Sequence, residues 1–146
     1  MKTTAKILFA LLVLQAQAAA CEFDIEVGDN LQFSVTEMTV EASCESVTVN
    51  LNHTGSLPVT AMGHNWVLTK GADLQPVAVD GMGAGADASY LKPDDDRVIA
   101  ATTLVGGGES TSVTFSIADL DPAGDYQFFC SFPGHWSVMK GAFKIV

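Results

Sequence analysis

Three metal-seeking side chains stand within ten residues near the C-terminus: Cys130, His135 and Met139, in Cys-Ser-Phe-Pro-Gly-His-Trp-Ser-Val-Met. A thiolate, an imidazole and a thioether can meet around one ion only if a short loop is tied at both ends to a stiff frame. Two neighbouring strands supply such a frame. Cys130 is expected to end one strand, His135 to sit in the turn made by Pro133 and Gly134, and Met139 to begin the last strand. Soft sulfur with imidazole suits copper, and two His, one Cys and a distant Met make the ligand set of a blue-copper electron-transfer centre. The second imidazole is expected from His64 in Met62-Gly-His-Asn-Trp66. Zinc is also chemically possible at a Cys/His site.

Residue types around the ligands sharpen the expectation. Cys130 would bind as thiolate, its proton displaced by the metal, and His64 and His135 as neutral imidazoles. Gly63 has no side chain, so its carbonyl can approach as a weak axial contact opposite Met139. The amide of Phe132 is placed to hydrogen-bond the sulfur, and Asn65 to tether the His64 loop to the ligand loop near Ser131. His53, in Asn52-His-Thr-Gly, reads as a buried, hydrogen-bonded histidine and not as a ligand. Trp66 follows His64 directly and should point to the opposite face, into the core, where its indole N–H lacks an evident partner.

The pattern elsewhere is that of an all-β chain. Phe23–Val27, Leu31–Val35 with Met38–Val40, Val47–Leu51, Asn65–Thr69, Arg97–Thr102, Ser110–Ile117, Asp125–Ser131 and Gly141–Val146 read as strands separated by Gly, Pro, Asn or Asp. About eight short strands with little helix indicate a Greek-key β-sandwich. Residues 72–91 are rich in Ala and Gly and read as a flap with a short helix near residues 72–82. Asp94-Asp-Asp96 reads as a solvated turn, since calcium loops space their carboxylates and this run does not.

The N-terminus carries Lys2 and Lys6, the apolar run Ile7 to Leu14, and Gln-Ala-Gln-Ala-Ala-Ala before Cys21. That is the pattern of a secretory signal peptide over residues 1–18, too short in its apolar centre to span a bilayer. Residues 19–146 then form a single domain with a real core. The formal charge is −10 at pH 7, and loss of Lys2 and Lys6 makes it more negative. Such acidity argues against nucleic acid or anionic membrane as a partner. Three cysteines in an exported chain suggest one bridge and one odd thiol. Cys21 and Cys44 are the expected pair, closing a loop worth about 3 kcal/mol on the chain-entropy model.

These residues resemble those of the azurin family, the cupredoxins of bacterial periplasms. The resemblance is carried by Met-Gly-His-Asn-Trp-Val-Leu at 62–68, Asp-Gly-Met at 80–82 and Tyr-Leu-Lys-Pro-Asp-Asp at 90–95. It continues in Arg-Val-Ile-Ala at 97–100, Ser-Val-Thr-Phe at 112–115 and Phe-Phe-Cys-Ser-Phe-Pro-Gly-His at 128–135. It runs from about Cys21 to the C-terminus, and the Cys-x4-His-x3-Met spacing differs from the shorter Cys-to-His gap of plastocyanin-like relatives. The resemblance implies a cupredoxin-like sandwich holding one type 1 copper on Gly63, His64, Cys130, His135 and Met139, with His53 the buried histidine nearby. It implies a diffusible periplasmic one-electron carrier, monomeric and not an enzyme, meeting c-type cytochromes and periplasmic redox enzymes transiently.

Where azurins carry a small residue after the second ligand histidine, this chain has Trp136. The ring is expected to widen in part an apolar rim around the exposed edge of His135, the alternative being that it packs down on the flap. Leu57, Val59, Met62, Met82, Phe132 and Trp136 then form a docking patch of the kind small, weakly held interfaces use. An oxidase or reductase module needs an open coordination position and usually a second metal centre, for which no further His/Cys/carboxylate cluster is at hand. A copper store favours exposed, clustered sulfur, and Met38, Met62, Met82 and Met139 are dispersed.

Overall fold

The computed structural model describes residues 21–146. The expected signal peptide, residues 1–18, lies outside the described residues. Among the described residues eight strands form two sheets. One holds β1 (Glu22–Val27), β3 (Ser46–His53) and β6 (Ser110–Ser116) in the order β1-β3-β6. The other holds β2 (Glu37–Val40), β4 (Val67–Lys70), β5 (Ala100–Ala101), β7 (Tyr126–Phe129) and β8 (Lys140–Ile145) in the order β2-β8-β7-β4-β5. β1 runs parallel to β3 and β2 to β8; the remaining pairs are antiparallel. The expected β-sandwich of about eight strands is the observed one.

Period-two alternation puts the core between the sheets. In β3, Val47, Val49, Leu51 and His53 are buried while Thr48, Asn50 and Asn52 are half-exposed. They meet Met38, Val40, Leu68, Phe128, Phe143 and Ile145 from the larger sheet, with Trp66 among them. The alternate residues of β4 and β7, Val67 and Phe129, face outward and are also fully buried, because a third layer covers them. That layer is the flap. Its helix α2 (Leu74–Gly81) presents Leu74, Val77 and Ala78 to the sheet, flanked by 3-10 turns at Gly71–Asp73 and Met82–Ala84. Pro76 falls in the first turn of α2, where its missing N–H costs no helical hydrogen bond. A disulfide joins Cys21 to Cys44, as expected, tying the start of β1 to the approach of β3 with Cα atoms 5.8 Å apart.

Several boundaries differ from expectation. Leu31–Val35 is no strand: only Phe33 pairs, in an isolated bridge with Val27, and Leu31 is exposed. The turn after β1 leaves too little chain for a ladder before β2. Arg97–Thr102 contracts to the two residues of β5, because Arg97 is drawn into the preceding turn by Asp95. Asp95 itself is not solvated. Its side chain is 5% exposed and takes hydrogen bonds from Arg97 Nε (2.8 Å) and Nη2 (2.6 Å), while Arg97 also reaches Asp80 of α2 at 2.7 Å. β4 starts at Val67 and not Asn65, since His64 is paired with Val105 in a separate bridge. A four-residue helix, α1 (Val59–Met62), was not anticipated; the amides of Ala61 and Met62 both bond the Pro58 carbonyl.

Candidate metal centre

β7 ends at Phe129, one residue short of Cys130, and β8 begins at Lys140, one residue after Met139. The Cys130 amide donates to the Met139 carbonyl at 3.1 Å, so the loop between them is closed at its base. Within it, His135 N–H bonds Phe132 O (3.0 Å), and the amides of Val138 (3.1 Å) and Met139 (2.8 Å) bond His135 O. His64 is pinned from the other side by mutual amide–carbonyl bonds with Val105 at 3.0 and 2.9 Å.

This backbone brings three ligand atoms together. Cys130 Sγ lies 3.7 Å from His64 Nδ1 and 3.6 Å from His135 Nδ1, and all three atoms lie within 4.8 Å of one another. Among the described residues this is the group of His, Cys, Asp or Glu side chains able to hold a metal ion. His64 and Cys130 are fully buried, and His135 is 6% exposed. The donors fit a soft or borderline ion: burial holds both histidines neutral, lowering His64 and bringing His135 down to about 4, with His64 close by adding to the latter. Burial pushes the Cys130 thiol up to about 11, against two backbone amides, of Asn65 and Phe132, that hydrogen-bond the sulfur. A thiolate in this position therefore calls for a bound cation.

The expected amide of Phe132 is in place; that of Asn65 was missed, as a main-chain donor 65 positions away leaves no mark in a sequence. The tether is as expected and stronger. Asn65 Oδ1 accepts from Ser131 N–H (2.9 Å), its Nδ2 donates to Ser131 Oγ (2.8 Å) and Ser89 O (3.2 Å), and the single Ser131 hydroxyl proton goes to Ser89 O (2.7 Å). Gly63 O is 3.9 Å from Cys130 Sγ. A Cβ on Gly63 would meet Val59 O at 2.5 Å and Leu104 Cδ2 at 2.9 Å, so the close approach admits only glycine. Met139 is buried, 1% exposed, in the main core cluster.

Two contacts complete the setting of His64, and the first had no sequence signal. His64 Nε2–H donates to Gly28 O at 2.8 Å, which leaves Nδ1 free for the metal. His53 stacks on His64, ring centroids 5.0 Å apart and planes at 28°, and is buried and hydrogen-bonded as expected: Nδ1 accepts from Gly55 N–H (3.1 Å) and Nε2 donates to Met62 O (2.9 Å). Trp66 lies in the core, stacked on Phe128 and tilted on Phe115, and its Nε1 has no hydrogen-bond partner among the described residues.

Of the expected docking patch, Leu57 and Met82 are exposed and Val59, Met62 and Phe132 half-buried. Phe132 lies against His135, centroids 4.5 Å apart. Trp136 is half-buried and packs with the cluster of Val67, Leu74, Val77, Ala78 and Phe129. The ring thus packs down on the flap rather than extending the rim around His135 as expected, because the flap cluster offers it apolar surface.

The sequence matches, over residues 19–146, the family of copper-binding proteins described as the plastocyanin/azurin family. It is 51% identical to the azurin of Achromobacter denitrificans over 144 residues, 99% of this chain and 97% of that one. Identity is 50% over the same span to the azurin of Pseudomonas aeruginosa, and 56% over 129 residues to that of Bordetella pertussis, 88% of this chain and 86% of that one. The solved azurin Az-iso2 of Methylomonas sp. strain J superposes with a TM-score of 0.85 at 48% identity, over 88% of this chain and 99% of that one. By that match, by these identities and by a buried His64–Cys130–His135 group able to hold a metal ion, the chain belongs to the plastocyanin/azurin family of copper-binding proteins.

Proposed function

We propose that the protein is a periplasmic blue-copper carrier that moves single electrons between redox partners and transforms no substrate. Copper bound here supplies the one-electron couple between its cupric and cuprous forms. The residues that would hold it are His64, Cys130 and His135, through Nδ1, Sγ and Nδ1, with the Met139 thioether and the Gly63 carbonyl as weaker contacts. The observation that carries this reading is the preassembled trio, its atoms within 4.8 Å of one another on backbone pinned at both ends. Donors already in place need little rearrangement between oxidation states.

The rest of the site divides the work. Gly28 holds the His64 ring, Asn65 locks the two ligand loops together, and the amides of Asn65 and Phe132 stabilise the thiolate and so tune the potential. His135 is the ligand nearest solvent and the exit for the electron. Leu57, Val59, Met62, Met82 and Phe132 form the apolar docking face, with Trp136 braced on the flap at its margin. Such a face suits brief contact with c-type cytochromes or copper enzymes by a monomeric carrier. The N-terminal pattern supports export to the periplasm, and among the described residues no helix is long and apolar enough to cross a membrane.

The test is a visible spectrum and voltammogram of the copper-loaded protein beside Cys130→Ser. The parent should show an intense thiolate-to-copper band and a reversible one-electron wave, and the variant neither. Colour and reversibility surviving in the variant would refute the assignment. A pale parent that retains zinc in preference would point to the zinc reading.

A further inference from the structure

The turn that follows β1 reaches the metal centre once directly and once by way of a neighbouring loop. Its first residue, Gly28, accepts His64 Nε2–H through its carbonyl at 2.8 Å. Its second, Asp29, turns its carboxylate onto the loop that follows His53. Asp29 Oδ2 accepts Ser56 N–H (2.8 Å) and Ser56 Oγ–H (3.1 Å), and Oδ1 accepts Leu57 N–H (3.0 Å). Three donors converge on one side chain, an acceptor-only group with lone pairs for all of them. The two segments are pressed together. A Cβ on Gly55 would overlap the Asp29 carboxylate and come within 2.8 Å of the Asp29 amide nitrogen.

The loop so held is the one that seats His53. Gly55 N–H, next to the clamped Ser56, donates to His53 Nδ1, so the His53 proton sits on Nε2 and is given to Met62 O. His53 in turn lies flat against His64. One face of the His64 ring and its outer nitrogen are therefore both controlled from residues 28–29: the nitrogen by Gly28, the stacking face by way of Asp29, Gly55 and His53. The loop has other ties, since Thr54 N–H bonds Val27 O (2.8 Å) and Gly107 N–H bonds Leu57 O (2.8 Å). Loss of the carboxylate should loosen it without unfolding it.

We propose that Asp29 is a positioning residue of the metal centre, its carboxylate clamping residues 56–57 so that the Gly28 carbonyl and the His53 ring stay seated on His64. The proposal rests on the copper-carrier reading for its consequence, since a His64 ring held on two sides relaxes little when the oxidation state changes.

Asp29→Asn, Asp29→Glu and Ser56→Ala test it in the full chain, copper-free and loaded with cuprous copper, which is diamagnetic. The primary readout is solvent exchange of the His64 Nε2 proton by NMR. Asp29→Asn offers one acceptor oxygen in place of two, so exchange should rise about tenfold, the equivalent of one lost hydrogen bond at about 1.4 kcal/mol. Electron self-exchange of the copper protein should fall at least about threefold with it. Asp29→Glu, which keeps the carboxylate, should recover part of both, and Ser56→Ala, which keeps both amide donors, should change neither. Proton exchange within twofold of the parent in a folded Asp29→Asn protein overturns the proposal, even if its melting temperature drops. Failure of the carrier reading would show separately, as a parent without the blue band, while the copper-free proton-exchange arm still reports on the clamp.

Discussion

Replacing Asn65 with Ala removes a buried side chain that ties the His64 segment to the ligand loop. Asn65 is fully buried and its amide group bonds Ser131 once through Oδ1 and once through Nδ2, with a third bond to the Ser89 carbonyl. The Ser131 hydroxyl keeps a partner, since it also donates to Ser89 O at 2.7 Å. The Ser131 amide does not, and it is left buried in a cavity the size of a carboxamide. A net hydrogen bond contributes about 1 kcal/mol, and an orphaned buried donor costs about 1–3 kcal/mol. The variant should therefore lose about 2–4 kcal/mol. With an unfolding entropy of roughly 2.1 cal/mol/K per residue over a domain of about 125 residues, that is a fall in melting temperature of about 8–15 °C. Calorimetry on the copper-free protein is the right assay, because bound metal adds its own stabilisation to the apparent value. Ser89→Ala is the control: it keeps the carbonyl that Asn65 and Ser131 use and removes only the hydroxyl that accepts Leu104 N–H at 3.1 Å, so it should cost about 1 kcal/mol. A copper-free Asn65→Ala protein melting within about 2 °C of the parent would mean that water replaces the carboxamide and that the loops are locked by other contacts.

Two further outcomes follow from the flap and from its ion pairs. Trp136→Ser should cost about 1–2 kcal/mol by exposing apolar area on the second cluster, and should raise amide exchange at Val77 and Ala78 with the visible spectrum little changed; unaltered exchange there would show that the ring does not brace the flap. Asp95 is held near about 2 by hydrogen bonds from Arg97, below its ordinary value, so its contribution is complete above about pH 4 and is lost as pH falls toward 2. Asp95→Asn should flatten the acid limb of a plot of urea midpoint against pH across that window, and an acid limb as steep as the parent's would place the sensitivity elsewhere.

How much of this was legible beforehand depended on whether a feature is carried by side-chain identity or by main-chain position. Cys130, His135 and His64 could be picked out because few residue types have their chemistry, and β3 because Val47, Val49 and Leu51 alternate cleanly. The Asn65–Ser131 tether was legible from polar residues set beside ligands. The flap helix was placed within two residues, since an Ala- and Gly-rich stretch with no alternation has few other options. Leu31–Val35 misled: its apolar spacing suits a strand, but the turn at residues 28–30 had other engagements. Asp95 misled as well, because a run of three aspartates looks solvated until an arginine folds back over one of them.

Local sequence alone determined the donor types, the strand-rich architecture and the cysteine bridge, because each follows from residue chemistry or from short-range period. Tertiary structure alone decided that Gly28 O would orient His64, that Asn65 N–H would reach the sulfur, and that Trp136 would lie on the flap. The physical reason is common to all three. Backbone groups are the same at every residue and carry no signature, and a tryptophan is equally at home on either of two apolar surfaces. Only the packing of the two sheets and the flap says which partner lies within reach.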